Sequence, residues 1–225
     1  MKITWLGQAG LLFETDSLRI MIDPYLSDSV KSIDPKNYRR VAVDENIFAL
    51  KPDVLIFTHN HMDHYDPETV KKFLTEDSKI SVLAPKSVWN DVRKFGGNNN
   101  YVQFNRYTRW TESGICFSAV TAEHSDEFAI GVILDDGEKK YYVTGDTLYN
   151  EKIFDNIPNN IYAVFLPVNG IGNNMNMEDA RKFCERIRPH FAVPVHCGMF
   201  DEIDMSRFNY KNKIIPEIYK EIKFK

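Results

Sequence analysis

The sequence predicts an α+β fold: two β-sheets packed against each other, with helices on the outside. Three observations lead there. Short runs of strand length dominate the first half of the chain. One of them, Val54-Leu55-Ile56-Phe57, is apolar without a break, the pattern of a strand covered on both faces. Helical periodicity is confined to a few segments mixed among the strands.

Taken in order, residues 2–6 and 11–15 flank Gly7-Gln8-Ala9-Gly10, which reads as a hairpin turn. Arg19–Asp23 is rich in isoleucine, and Val54–Thr58 is the buried run. Ser81–Ala84, Tyr101–Phe104 and Ile115–Ala122 follow. Ala129–Leu134 and Lys140–Thr144 enclose Asp135-Asp136-Gly137, a strong hairpin signal. Ala163–Val168 and Phe191–Val195 are the late strands. The first helix opens at Asp66-Pro67-Glu68, an N-cap aspartate followed by proline at the first helical position, with Val70, Phe73 and Leu74 as its apolar face. Pro85–Phe95 is the second. Met177–Ile187 carries a stripe through Ala180, Phe183, Cys184 and Ile187, and Ile214–Ile222 is predicted as a closing helix. Between Leu26 and Leu50 the chain is polar and irregular. A loop of that length inside a domain suggests a lid.

A chain of 225 residues with 43% hydrophobic content can bury a substantial core, and we expect one domain over 1–225. No apolar run nears the roughly 20 residues that cross a bilayer. MKITWLGQAG lacks the order of a signal peptide. A cytoplasmic protein with no membrane partner is therefore expected. The three cysteines, Cys116, Cys184 and Cys197, form no CxxC pair, which argues against a disulfide framework or a zinc finger. A net charge of −4 offers no broad surface for nucleic acid.

Chemistry concentrates in THNHMDHYD, residues 58–66. Three of the chain's six histidines stand there, directly after the apolar run. His59 and His61 are two apart, so at a strand end they point the same way. A turn can fold Asp63 and His64 back toward them. Imidazole and carboxylate are ligands for a borderline divalent ion, and four such groups suit two neighbouring ions better than one. His124, Asp146 and His196 each stand just past a predicted strand, where loops gather at one sheet edge. The plain alternative is a set of separately satisfied histidines.

HxHxDH, a lone histidine, TGDT and a late histidine, in that order, resemble the metallo-β-lactamase fold superfamily over residues 3–198. MIDPYLSDSV, PKNYRR, KPDVLIFTHNHMDHYDPETV and TGDTLYN look like its L-ascorbate-6-phosphate lactonase branch, although this chain is shorter than that lactonase. The resemblance implies a four-layer αββα sandwich with metals at one edge. His59, His61 and His124 would hold the first ion, Asp63, His64 and His196 the second, and Asp146 would bridge them. The ions would be zinc or manganese, with iron as a third candidate, and the lactonase hints at a homo-oligomer.

Such a site activates a water whose hydroxide, bridging the metals, attacks a carbonyl or phosphorus. Asp63 is the candidate catalytic residue, orienting that hydroxide and moving its proton. The expected activity is hydrolysis of a small cytosolic lactone or ester of a phosphorylated or free sugar acid. The alternative is a phosphodiesterase acting on a lipid or nucleotide. A di-iron redox protein is a further class, but its glutamate in place of His61 and its flavin domain are absent from the sequence. A non-catalytic module would be expected to have lost ligands. The substrate side is assigned to Asn169, Asp23, Tyr25, Arg39 and Arg40. Asn169 lies beyond a strand and is a candidate for holding substrate or an oxyanion. Asp23, in MIDPYL, has a second reading, orienting a ligand histidine, and a plain one, an Asp-Pro turn. The arginines, with Lys36, Tyr25 and Tyr38, are candidates for gripping a phosphate, against the plainer reading of a solvated face. Cys197 reads as a buried filler and His190 as structural.

Overall fold

Two six-stranded mixed sheets carry the fold in the computed structural model, which describes residues 1–225. The first sheet runs, in spatial order, β1 (Lys2–Gly7), β2 (Gly10–Glu14), β3 (Arg19–Ile22), β4 (Val54–Ile56), β5 (Ser81–Ala84) and β6 (Asn100–Gln103). The second runs β7 (Arg109–Glu112), β8 (Ile115–Thr121), β9 (Ile130–Asp135), β10 (Lys140–Val143), β11 (Ile161–Pro167) and β12 (Phe191–Val195). In each, neighbours are antiparallel at first and parallel later. The change comes at β3–β4 in the first sheet and at β10–β11 in the second. Parallel neighbours need long crossovers. Helices α1 (Pro67–Phe73), α2 (Lys86–Val92) and α3 (Met177–Ile187) supply three of them.

Alternation along each strand builds the layers. Val54 and Ile56 of β4 face the core between the sheets, whereas Leu55 faces out toward Val70, Phe73, Val88 and Val92 of α1 and α2. Likewise Ala163 and Phe165 point inward, and Val164 and Leu166 pack with Ala180, Phe183 and Cys184 of α3. Phe13 joins the two sheets, meeting Tyr141 and Phe165 edge-on at 6.1 and 5.7 Å. Runs such as VLIF are apolar throughout because both of their faces are covered. The result is a helix–sheet–sheet–helix sandwich, the layering that the resemblance implies. Asp66 caps α1 as expected, accepting from the Glu68 and Thr69 amides at 3.1 Å. No helix is long and apolar enough to cross a membrane.

Two elements differ from expectation. Ile214–Ile222 is irregular, with a turn at 218–220, and not helical. Pro216 removes one amide donor and biases Ile215 away from the helical region. The larger cause is tertiary. Strands β1 and β12 are edge strands, and this segment closes both. The Ile214 N–H donates to Ala192 O at 2.9 Å, the Tyr219 N–H to Trp5 O at 2.7 Å and the Ile222 N–H to Ile3 O at 2.8 Å. Strand β7 is an addition. Its RWTE is half-exposed at the other edge of the second sheet and too polar to read as a strand.

The loop after Leu26 holds two 3-10 turns, Ser29–Ser32 and Glu45–Leu50. It is tied down at Arg39, whose guanidinium is buried and donates to the carbonyls of Tyr25 and Val41 and to the Tyr219 hydroxyl.

Candidate metal centre

Four chain segments deliver the seven predicted donors to one edge of the sandwich. His59, His61, Asp63 and His64 follow β4, His124 follows β8, Asp146 follows β10 and His196 follows β12. Within the cluster, His59, His61, His124 and Asp146 form one group, and Asp63, His64 and His196 a second. In each group the ligand atoms lie within 4.8 Å of one another. Asp146 reaches both, with Oδ2 at 3.9 Å from His124 Nε2 and 3.2 Å from His196 Nε2, and Oδ1 at 3.2 Å from His64 Nε2.

Close approach of the two sheets at this edge depends on Gly145. Its φ is +61°, and an added Cβ would stand 2.9 Å from both Ile130 O and Thr58 Cβ. Left-handed backbone costs an ordinary residue roughly 1–2 kcal/mol before any clash. At about 2–4 °C per kcal/mol for a chain of this size, Gly145→Ala is expected to lower Tm by about 5–10 °C, measurable by differential scanning fluorimetry. An unchanged Tm would mean that the sheets do not need this contact.

Hydrogen bonds fix which imidazole nitrogens face the cluster. Asp23, fully buried, accepts from the Thr58 amide at 2.8 Å and the Thr58 hydroxyl at 2.5 Å, and lies 2.8 Å from His64 Nδ1. That leaves His64 Nε2 free. The Thr58 oxygen in turn lies 3.0 Å from His59 Nδ1, so one carboxylate orients two histidines, the second through a hydroxyl. His124 Nδ1 donates to Asn173 O at 3.2 Å. The nitrogens turned inward confront one another: His124 Nε2 is 3.2 Å from His61 Nδ1, and His64 Nε2 is 3.2 Å from His196 Nε2. His59 Nε2 and Asp146 Oδ1 are buried with no hydrogen-bond partner. Facing nitrogens and orphaned acceptors are costly in a closed site unless a cation lies among them. The donor set therefore fits divalent metal.

Charge is arranged to match. Burial alone would push His64 and His196 down. The carboxylates of Asp146 and Asp63, with Asp23 for His64, outweigh it. They hold His64 well above the ordinary histidine range and raise His196 to about 10. Burial would lift Asp63 and Asp146, yet His64 and His196 keep both well below the usual carboxylate range. His59 is pushed well down, by burial first and then by neighbouring His64, and His124 is lowered chiefly by burial.

The cluster opens into a cavity of about 230 Å³, lined in part by His61, Asp63, Asp146 and His196. Of the residues assigned to substrate, Asn169 lines it, with Nδ2 3.2 Å from His196 Nδ1. The other four are corrected. Asp23 lies behind the histidines, with both oxygens engaged. Tyr25 is fully buried, meeting Phe200 edge-on at 5.6 Å. Arg39 anchors the loop, and Arg40 is exposed, donating to Met199 O at 3.2 Å. None of the four lines the cavity. The loop contributes Val30 and Asn37 instead. Cys197 is buried and outside the cavity lining. A larger cleft, about 910 Å³, lies at the other end of β11 and β12, where Ile161 and His190 line it, and holds none of the seven donors.

Sequence reasoning missed Gln8 and Asn174. Gln8, read as part of a turn, donates to Asp63 Oδ2 at 2.8 Å, and Asn174 donates to Asp146 Oδ2 at 2.8 Å. A polar residue in a turn at the same sheet edge as the histidines was the only signal for Gln8. Asn174 lies in an asparagine-rich loop that hides it among exposed neighbours.

The profile of the beta-lactamase superfamily domain matches residues 2–196. The chain is 29% identical over 210 residues to a UPF0173 protein of Pyrococcus furiosus, a match covering 92% of this chain and 89% of that one. It is 26% identical over 225 residues to a UPF0173 metal-dependent hydrolase of Carboxydothermus hydrogenoformans, covering 96% and 93%. Among solved structures it resembles Igni18, a metallo hydrolase of Ignicoccus hospitalis, with a TM-score of 0.73 at 21% identity over 100% of this chain and 99% of that one.

Proposed function

This chain belongs to the beta-lactamase superfamily, and from that premise we propose that it is a metal-dependent hydrolase which binds two divalent cations and opens a small, uncharged lactone or ester. The observation that carries the reading is the convergence of seven donors around buried atoms without partners, His59 Nε2 and Asp146 Oδ1. His59, His61 and His124 would hold one cation and Asp63, His64 and His196 the other, with Asp146 serving both. The Carboxydothermus relative is likewise a metal-dependent hydrolase. Bound divalent cations, zinc or manganese among them, supply Lewis acidity, polarising a carbonyl and lowering the pKa of water toward about 7.

The protein's own side chains would then do the positioning. Asp63, ionised and lining the cavity, accepts the O–H of the attacking water and passes its proton to the leaving oxygen. Asn169 stands where it can donate to the substrate carbonyl. The small cavity favours a small substrate, and two lining carboxamides not committed to the carboxylate donors, Asn37 and Asn169, offer hydrogen bonds to an oxygen-rich one. No lysine or arginine lines it, so beyond the metal donors themselves a phosphoryl group would meet no cationic side chain. That weighs against a phosphorylated sugar acid, as in the lactonase branch, and against a phosphodiester.

The test is metal analysis of the purified protein followed by hydrolysis assays on lactones, carboxylic esters, phosphomonoesters and phosphodiesters. We expect two equivalents of divalent metal and turnover of the uncharged acyl compounds. Turnover of phosphodiesters alone would replace the acyl reading with the phosphodiesterase one. Protein that takes up no metal would overturn both.

A further inference from the structure

Gln8 is not one of the seven donors, yet it is more constrained than several of them. It is 2% exposed and sits at φ +49°, a left-handed conformation that a non-glycine residue adopts only when its surroundings hold it there. Those surroundings are visible. Its carbonyl accepts from the Trp5 indole N–H at 2.9 Å and from the His196 amide at 2.9 Å. Its carboxamide nitrogen lies 2.8 Å from Asp63 Oδ2 and 3.2 Å from His196 Nε2. Glycine would fit this backbone without strain, so what glutamine adds is the amide.

Other donors have orienting partners of their own. Asp23 serves His64 and, through Thr58, His59, the Asn173 carbonyl serves His124, and Asn174 serves Asp146. Asp63 has Gln8 as its only hydrogen-bonding side chain apart from histidines of the cluster. The His196 backbone N–H donates to the carbonyl of Gln8.

We propose that Gln8 is the positioning residue of the half-site formed by Asp63, His64 and His196. Its amide donates to Oδ2 of Asp63, the oxygen that lies 3.2 Å from His196 Nε2 and 3.8 Å from His64 Nε2, and so holds that carboxylate toward the half-site, while its carbonyl, accepting from the His196 amide, sets where the His196 ring enters the cluster. The inference rests on the metal-dependent reading above. Partners that orient ligands typically contribute 10–100-fold to metal affinity. The effect is confined to one half-site, because His59, His61 and His124 make no hydrogen bond with Gln8.

The experiment titrates full-length, metal-free protein with Zn(II) against a chromophoric chelator, for wild type, Gln8→Gly and Gln8→Glu. Glycine relieves the backbone while deleting the amide, and glutamate keeps the volume while replacing the N–H donor with an oxygen. Wild type should bind two equivalents. Both variants should bind the first with unchanged affinity and the second about 10–100-fold more weakly, while Gln8→Gly keeps its metal-free Tm within a few degrees. A purely structural Gln8 would instead lower Tm and leave both affinities alone. Wild-type affinity for the second equivalent in Gln8→Glu overturns the proposal even if Gln8→Gly fails to fold. Wild type that binds no zinc overturns the metal reading itself.

Discussion

Asp146→Ala is expected to lower kcat/KM about a thousandfold, roughly 4 kcal/mol of transition-state stabilisation, and to leave no more than one tightly held cation. Asp146 is the one carboxylate whose oxygens approach both donor groups, at 3.2 Å from His64 and His196 and 3.9 Å from His124. No other side chain stands in a position to replace it. Its loss also removes an anion 3.2 Å from each of two buried imidazoles, His64 and His196, and breaking a buried pair by deleting one partner costs about 3–5 kcal/mol. Metal-free Asp146→Ala should therefore melt lower than metal-free wild type. Asp146→Asn separates charge from shape, because it keeps the volume beside Asn174 while losing the anion. It should follow alanine in metal content and turnover. Elemental analysis and steady-state kinetics on the two variants decide the matter, and retention of both cations with wild-type turnover would remove Asp146 from the centre.

Metal affinity should depend steeply on pH, rising about 100-fold per unit between pH 6 and 7. In the metal-free protein His64 is held well above the ordinary histidine range and His196 at about 10, so both carry protons at neutral pH. Coordination needs neutral imidazole, so each must release one. His59 and His124 are lowered and already neutral, and Asp63 and Asp146 are already ionised. About two protons should leave per fully loaded protein, and an affinity linked to two protons changes by two powers of ten per pH unit. The sign for stability is the reverse. A histidine whose folded pKa exceeds its unfolded value of about 6.5 stabilises the metal-free fold fully below that value. For His196 this contribution fades as pH climbs through about 10. Calorimetric titration in buffers of different ionisation enthalpy counts the protons directly, and a count of zero would show that these histidines are neutral before metal arrives.

Much of this centre is legible in the primary structure because its donors are packed into a short motif. HNHMDH places four of them within six residues of a strand end, where little beyond strand geometry is needed to aim them. His124, Asp146 and His196 can be picked out only beside that motif, because each stands just past a predicted strand at the edge where it lies. Asp23 is half legible. An aspartate after a strand suggests an orienting carboxylate, but sequence cannot separate that from an Asp-Pro turn or a substrate contact. Arg39 misleads for a physical reason. A guanidinium in a polar loop reads as solvated or anion-binding, whereas here three protein oxygens satisfy it beneath the surface.

What the sequence determines by itself is the set of local relations: periodicity two in the strands, unbroken apolar runs where both faces are covered, the Asp66 cap, and the spacing of HNHMDH. These follow from short-range geometry, so each residue carries its own signal. Tertiary structure alone decides the rest. The tail from Ile214 to Ile222 has helical spacing but forms no helix, because two unpaired sheet edges offer its amides better partners than a short isolated helix can. Gln8 becomes part of the centre only because β12 returns, some 188 residues later, to set His196 against it. Such contacts depend on where distant strands end, which no local pattern records.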